Sequence, residues 1–369
     1  MNDTVIYCDS AVGEWHMNVS LGSHSHDALT RNINEFINSP ATRKIAIFHI
    51  PFPFPWRNTD WGHIDDVWDT TFEQRLLQVI DQCEFVIMLC SELHEQTVSF
   101  VNKYNNEKIH HFTCGTLNNG QKFTPWMDWF ITTTSFYKTH DVLNQLTPYQ
   151  PKPKVFDILL GQPKPHRRMI MQHNQTNLKR VIMTYLTDGG DTTLQQQTQE
   201  NFIWETDGLV LPNHEFSWTV TPVQYYGEWT RLSQVVPIKI YNQTAYTVVA
   251  ETNFHNEYSF YTEKIVKPIM GRRLFLVFAG QYFLRNLRSM GFKTFDGIVD
   301  ESYDLEPDFT LRGQMILKQM DYLFEQDQQT ILDKVRPIAE YNYNHLMTTD
   351  WHNNYITDLR LLFGLNSSD

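Results

Sequence analysis

The sequence predicts an α/β protein with two consecutive α/β units followed by helices. Short apolar runs rich in Val, Ile and Phe alternate with longer segments of helical periodicity, which is typical of parallel sheets covered by helices. The length of 369 residues fits two domains. A proline-rich stretch at 147–154 resists both helix and central strand, so we place the boundary there. The predicted domains are 1–150 and 151–345, with a C-terminal helix at 346–369 that packs back toward the first domain.

The first unit opens on apolar runs that suit strands buried on both faces. The alternating run PFPFP at 51–55 predicts an extended loop, because proline removes ladder donors and biases the preceding residue away from the helical region. Predicted strands lie at 4–8, 44–50 and 85–90, and predicted helices at 27–38, 70–82 and 135–145.

The second unit repeats the alternation after the proline-rich boundary. Between its two halves, residues 201–237 are dense in Trp, Tyr, Phe and Pro, which we interpret as a long loop or an inserted subdomain. Residues 311–365 have helical periodicity, with a break expected at Pro337. Predicted strands lie at 155–160, 181–186, 247–251 and 274–278, and predicted helices at 166–179, 263–270 and 282–290.

The charge and cysteine content narrow the classes of function. There are 42 acidic and 30 basic residues, and the resulting net charge of -12 disfavours non-specific nucleic-acid binding. The four cysteines form no C-x-x-C pair, and we expect reduced core thiols. The start of the chain lacks the pattern of a signal peptide, and the apolar runs are far shorter than the ~20 residues of a membrane helix. We therefore expect a cytoplasmic protein without a membrane span, located in the host cytoplasm if the protein is viral.

The most informative stretch follows the strand predicted at 247–251. Glu251 ends that strand, a loop with Asn253 and Tyr258 follows, and Thr262 is placed to cap a helix that begins at Glu263. Loops at the carboxyl ends of parallel strands open into a crevice, and a helix N-terminus favours an anion such as phosphate. The adjacent Lys264 would reach the same anion. Ordinary capping with solvated lysines is the structural alternative.

Two runs in this part of the chain resemble the fucosyltransferase-like glycosyltransferases, the α-1,3/1,4-fucosyltransferase family with its viral and bacterial relatives. They are ETNFHNEYSFYTEKIVKPIMGRRLFLVFAG at 251–280 and FLRNLRSMGFKTFDGIVDESYD at 283–304. The resemblance implies a GT-B-like fold, in which two Rossmann-like domains face each other across a cleft. It also implies that the first domain binds the acceptor and that the second holds a nucleotide sugar.

The resemblance also implies roles for individual residues. Lys264 would contact the donor diphosphate and Glu263 the ribose or sugar, and the nucleotide pocket would be lined by Glu251, Asn253, Tyr258 and Tyr261. A second cation is expected at the start of the helix that follows the first strand of the second domain. Arg167 is our first choice on the count from the preceding proline, and Arg168 is the adjacent alternative.

Paired cations suit the chemistry of a diphosphate leaving group. Breaking the sugar–phosphate bond develops negative charge that preorganised Arg and Lys side chains stabilise. The sequence contains no Asp-x-Asp, and the pairs His24/His26 and His110/His111 stand without a supporting cluster, so we expect neither a metal nor any other cofactor. The nucleotide sugar is the substrate.

Sugar transfer with inversion also needs a general base, normally a carboxylate of the first domain. Acidic and His residues in loops after the predicted strands are the candidates, and the sequence does not choose among them. We rank Asp9, Asp66 and Glu92 first.

The sequence thus predicts an inverting, metal-independent glycosyltransferase that uses a nucleotide diphosphate sugar, such as GDP-fucose. The acceptor would be a hydroxyl of a glycan or protein, or of a hydroxylated DNA base, which the net charge does not favour. The alternative is a non-catalytic nucleotide- or carbohydrate-binding module with the same fold.

Overall fold

The chain folds into two compact units. A computed structural model describes residues 3–10, 28–50, 70–90, 99, 102–104, 106–118, 124–161, 164–184, 207–210, 222–252 and 254–365. The first unit comprises Met1–Asp128 together with Asp350–Asp369, and the second comprises Trp129–Thr349. These limits differ from the sequence-based limits of 150 and 345, and the segment that follows Thr349 belongs with the first unit.

The first unit is built on a six-stranded parallel sheet. Its elements are β1 (Thr4–Cys8), β2 (Leu29–Thr30), α1 (Ile33–Asn38), β3 (Arg43–Ile50), α2 (Thr70–Val79), β4 (Phe85–Cys90), β5 (Ile109–Thr113), β6 (Gly115–Leu117) and β7 (Thr124–Pro125). The strand order is β2-β1-β3-β4-β5-β7. A core that includes Tyr7, Phe48 and Met88 from the sheet packs with Phe36 of α1 and Leu76 of α2.

The second unit contains a four-stranded parallel sheet and a small antiparallel one. Its elements are α3 (Asp128–Thr139), β8 (Lys154–Leu159), α4 (Pro165–Asn174), β9 (Val181–Thr184), β10 (Leu209–Val210), β11 (Pro222–Tyr225), β12 (Glu228–Arg231), α5 (Ile238–Gln243), β13 (Thr244–Ala250), β14 (Tyr258–Phe260), α6 (Glu263–Met270), β15 (Phe275–Phe278), α7 (Phe283–Ser289), α8 (Phe309–Glu325) and α9 (Gln328–Thr348). The parallel sheet has the order β15-β13-β8-β9, and β10, β11 and β12 form the antiparallel sheet. The helix α10 (Trp351–Leu362) belongs to the first unit.

The apolar runs identified the central strands well. The strands predicted at 4–8 and 85–90 and the helix predicted at 263–270 are confirmed, and the other predicted strands shift by a few residues. β13 is buried along its whole length, as its run of apolar residues requires. The stretch at 201–237, predicted to be irregular, contains β10, β11 and β12, and its segments 201–206 and 211–221 lie outside the described residues. The loop predicted at 51–55 also lies outside them.

Several helix predictions were wrong at their limits. The segment predicted as a helix at 27–38 begins with strand β2, and α1 starts only after Asn32, whose side chain caps it by accepting from Asn34 N and Glu35 N. The helix predicted at 135–145 starts earlier, as α3, and its last part is a 3₁₀ turn. Pro337 does not break α9. Burial of Ile331, Leu332, Val335, Ala339 and Leu346 along that helix offsets the missing backbone hydrogen bond.

A buried ion pair ties β8 to the amino-terminal end of β13 and β15. Arg273 Nη2 lies 2.7 Å from Asp157 Oδ1, and both side chains are almost completely buried. The same guanidinium donates to Thr247 Oγ1 at 2.8 Å and to Thr244 O at 2.9 Å. Burial raises the pKa of Asp157, while Arg273 and the two threonines oppose that shift. The pair therefore connects the strands at their amino-terminal ends, on the side of the sheet opposite the candidate site.

His111 of β5 is a buried histidine whose ring nitrogens have no hydrogen-bond partner in the described part of the chain. Burial lowers its pKa to about 4, and the neighbouring His110 adds to the shift. The folded pKa thus lies below the ordinary value near 6.5. Above about pH 6.5 the imidazole is neutral in both the folded and the unfolded chain, and His111 adds no pH dependence. As the pH falls from 6.5 toward 4, the unfolded chain binds a proton that the folded chain does not, and the free energy of unfolding decreases.

We expect His111→Leu to raise the free energy of unfolding by about 1 to 2 kcal/mol at pH 7, because it removes buried polar atoms that have no partner. At pH 5 the advantage should grow by about another 2 kcal/mol, since the variant no longer takes up a proton at this position on unfolding. Urea titrations at both pH values measure this, with His110→Leu, whose ring is only half-buried, as the control. Lower stability of His111→Leu at pH 7 would contradict the prediction.

Among the described residues, no helix has the length and apolar character needed to cross a membrane.

Candidate functional site

The candidate site lies at the carboxyl edge of the four-stranded parallel sheet. From β8 the chain moves to β9 on one side of the sheet, whereas β13 pairs on the other side of β8 and is followed there by β15. The direction of winding therefore reverses between β8 and β13. In open parallel sheets, ligands bind in the crevice outside the carboxyl ends of the strands at such a switch point.

Glu251 directly follows β13 and connects the strand to the start of α6. Its side chain is fully buried, and Oε2 accepts from Thr262 Oγ1 at 2.8 Å and from Thr252 N at 3.2 Å. Burial raises the pKa of this carboxyl, although nearby Lys264 opposes the shift. Glu251 thus fixes the geometry of the loop rather than presenting its carboxylate to solvent.

Thr262 caps α6 as the sequence predicts, because its Oγ1 accepts from Lys264 N at 3.2 Å. Lys264 Nζ donates to Glu263 Oε1 at 2.8 Å, Thr252 Oγ1 at 3.2 Å and Thr262 Oγ1 at 3.4 Å. The Lys264 side chain keeps 22% of its surface exposed, so its ammonium group is oriented but still reaches solvent.

Glu263 is a buried carboxylate held between two lysines. Its burial acts to raise its pKa, but Lys264 and Lys267 outweigh that effect, and the pKa is lowered overall. Burial lowers the pKa of Lys267 to about 8, with Glu263 opposing the shift. The start of α6 therefore places two lysines around the buried Glu263 carboxylate.

A second group of cations comes from the start of α4. Lys164, at the N-cap of α4, makes no side-chain cap, and its Nζ donates to Thr252 O at 2.6 Å. His166 Nε2 donates to Glu251 O at 3.0 Å, and Arg167 Nη2 lies 3.5 Å from the same oxygen. Side chains that follow β8 thus contact the backbone that follows β13 at the switch point.

The structure distinguishes Arg167 from Arg168. Arg167 is buried, and its guanidinium lies against the backbone that follows β8, since a Cβ on Gly161 would lie 3.4 Å from Arg167 Nη1. Arg168 is exposed on α4. His166, beside them, is also buried, and this burial together with Arg167 lowers its pKa well below the ordinary value, so it is a neutral donor.

The two predicted tyrosines lie in packed surroundings. Tyr261 is buried, and its ring centroid lies 4.8 Å from that of Phe283 and 6.2 Å from that of Phe130. Tyr258 is buried beside His255, with ring centroids 6.0 Å apart. Both rings contribute to the packing beneath the loop that joins β13 to α6.

Of the candidate general bases, only Asp9 lies within the described residues; Asp66 and Glu92 lie outside them, as does Asn253 of the nucleotide pocket. Asp9 follows β1 at the point where the sheet of the first unit also reverses direction. Its carboxylate is bound by Arg75 Nε at 2.8 Å and accepts from Tyr7 OH at 3.3 Å. Arg75 therefore already binds the carboxylate that a general base would need for the proton of the acceptor hydroxyl.

The acidic block at 300–304 stabilises the fold. Asp304 accepts from Leu284 N and Arg285 N, both at 2.8 Å, and so caps the start of α7. Glu301 accepts from Phe295 N at 2.7 Å and from Thr294 Oγ1 at 2.6 Å.

Sequence reasoning missed Lys164, His166 and Gly280 as parts of this region. Lys164 and His166 flank the proline that starts α4, so the helix-start signal that pointed to Arg167 applied to them too. Gly280 follows β15, and a Cβ there would lie 1.8 Å from His255 O. No local sequence signal reports such a contact, because it joins parts of the chain that only the fold brings together.

A scan against protein-family models and a search of curated proteins returned no match. No group of three or more His, Cys, Asp or Glu side chains suited to a metal ion occurs within the described residues.

Proposed function

We propose that the protein is an inverting, metal-independent glycosyltransferase that uses a nucleotide diphosphate sugar, such as GDP-fucose, as donor. The observation that carries the proposal is the convergence of Lys164, Arg167 and Lys264 on the Glu251–Thr252 segment at the switch point. Three cations at the carboxyl edge of a parallel sheet suit a diphosphate, the most highly charged part of such a donor.

In the proposed reaction, an acceptor hydroxyl attacks the anomeric carbon while the bond from that carbon to the diphosphate oxygen breaks. The hydroxyl proton passes to a carboxylate base, and the electron pair of the broken bond stays on the diphosphate. Lys264 and Arg167 stabilise the developing charge because they are already oriented before the reaction. Two α/β units, each with a parallel sheet, support a GT-B-like arrangement in which the second unit holds the donor.

The base and the acceptor belong to the proposal as well. Asp9, Asp66 and Glu92 are the proposed candidates for the base, and the acceptor is a hydroxyl of a glycan or, alternatively, of a hydroxylated DNA base. The ion pair between Asp9 and Arg75 favours a second function, a binding module that holds nucleotide or carbohydrate without catalysis.

The proposal is tested by incubating the protein with GDP-, UDP-, CMP- and ADP-linked sugars and the proposed acceptors, glycans and DNA with hydroxylated bases, in the presence of EDTA and measuring release of free nucleotide. Shifts in melting temperature with the free nucleotides identify the preferred base, since a ligand that binds the folded state stabilises it. A selective shift together with release supports the transferase. A selective shift without release supports the binding module, and the absence of both contradicts the proposal.

Arg167 and Arg168 provide a matched pair on one helix. We expect Arg167→Ala to raise the Kd for the preferred nucleoside diphosphate about tenfold or more, because it removes an oriented guanidinium from the switch point. Arg168→Ala should raise it less than about threefold, since its exposed side chain acts on the anion only through screened charge. Calorimetric titration measures both constants, and the reverse order would contradict the assignment.

A further inference from the structure

Arg312 of α8 is a buried cation held by neutral oxygens. Its side chain is 3% exposed. Nε donates to Ala279 O at 3.0 Å, and Nη1 donates to Asn256 Oδ1 at 2.9 Å and to Glu306 O at 2.6 Å. Nη2 donates to Phe254 O at 3.2 Å. One guanidinium thus joins the loop after β13, the end of β15 and the segment before α8.

Arg312 makes no ion pair with any described residue, whereas the equally buried Arg273 pairs with Asp157. The nearby carboxylates of Asp304, Glu306 and Asp308 favour the charge of Arg312 from a distance, but each accepts a backbone N–H instead, from Leu284, Asp308 and Leu311 respectively. A buried charge without a carboxylate in direct contact is expensive. Arg312 therefore differs from a structural ion pair, and its fixed donors all serve to hold backbone and amide oxygens in place.

The loop that Arg312 holds is the one that joins Glu251 to Thr262. Asn256, at its turn, also accepts from Gln281 N at 3.1 Å and donates to Pro307 O at 2.8 Å. His255 O lies against Gly280 so closely that a side chain there would overlap it. The turn is thereby fixed at the carboxyl edge of the sheet, and its two ends carry Thr252 and Thr262, both of which accept from Lys264 Nζ.

We infer that Arg312 is a positioning residue of the switch-point site, which holds the 252–262 loop in the shape that orients Lys264 toward a bound nucleoside diphosphate. The inference rests on the proposed function, because the ligand is the one proposed there. The hydrogen bonds of Arg312 within the described residues go to none of Lys164, Arg167 and Lys264, so its effect passes through the loop.

The test compares Arg312→Gln and Arg312→Lys with Arg273→Gln in the full chain, with GDP as the probe. We expect both glutamine variants to melt at lower temperature, because each loses a buried guanidinium. Of the two glutamine variants, only Arg312→Gln should also raise the Kd for GDP at least fivefold and speed hydrogen exchange at 252–262. Arg312→Lys, which keeps the charge but makes fewer bonds, should lie between wild type and Arg312→Gln.

The outcomes separate the inference from the function on which it rests. Wild-type protein that binds GDP, together with an Arg312→Gln variant that binds it equally well, overturns the inference and leaves the proposed function standing. A Kd raised equally by Arg273→Gln also overturns the inference, since a general loss of stability would then explain both. Wild-type protein that binds neither GDP nor another nucleoside diphosphate overturns the proposed function and the inference with it.

Discussion

Lys264→Met should raise the Kd for GDP at least tenfold, which corresponds to about 1.4 kcal/mol of binding free energy or more. A charge-assisted hydrogen bond to an anion is worth about 1.5 to 3 kcal/mol. Lys264 combines partial exposure with three fixed acceptors, so little ordering of its side chain is needed on binding. Calorimetric titration of the folded variant measures the change.

The variant needs a control for stability, because removing Lys264 leaves the buried Glu263 without its 2.8 Å partner. The double variant Glu263→Gln/Lys264→Met removes both charges and should recover stability without recovering affinity. Lys318→Met, on the exposed face of α8, should leave the Kd unchanged. A Kd for Lys264→Met within twofold of the wild-type value would remove Lys264 from the site.

Gly280→Ala is expected to destabilise the second unit by about 3 to 5 kcal/mol. The added Cβ would lie 1.8 Å from His255 O and 2.8 Å from His255 C, both backbone atoms that cannot rotate away. The loop must therefore shift, and the fall in melting temperature should be roughly 10 °C for a unit of this size. Differential scanning calorimetry measures it, and GDP affinity should fall in parallel because the shifted loop carries Thr252.

Gly297→Ala is the matched control for this substitution. Apart from its chain neighbours, no atom of the described residues lies within 4 Å of its added Cβ, so the variant experiences only the strain of a side chain at φ 82°. That strain costs roughly 1 to 2 kcal/mol. If Gly280→Ala were no less stable than Gly297→Ala, the close approach of His255 to Gly280 would not exist in solution.

The sequence predicted the parallel sheets because their strands are buried on both faces and therefore consist of continuous apolar runs. Strand β5 was not predicted, because the polar pair His110–His111 interrupts its apolar residues. Helix limits were less predictable, because a cap such as Asn32 or the packing that keeps Pro337 inside α9 depends on neighbours far away in the chain.

At the candidate site, local signals predicted the residues whose role is local. Thr262 caps its own helix, and Lys264 follows it, so their spacing alone placed them. Nothing local indicated that Tyr258 and Tyr261 would be buried, or that Arg312 would reach back to the loop after β13. Such contacts join helices and loops that are distant in sequence. The strand order of the sheet, which the sequence does not reveal, determines which of these segments lie next to one another.

The first unit is made of two separate parts of the chain, and this affects the order in which the units fold during synthesis on the ribosome. Helix α10 completes that unit, where Phe363 packs against Phe85 with ring centroids 5.5 Å apart and Arg43 donates to Phe363 O at 3.1 Å. About 220 residues of the second unit are made in between, which takes on the order of 10 to 40 s during synthesis. During that interval the start of β4 at Phe85 lacks its contacts with the end of the chain. The second unit is continuous, so its whole chain has been made before α10 emerges.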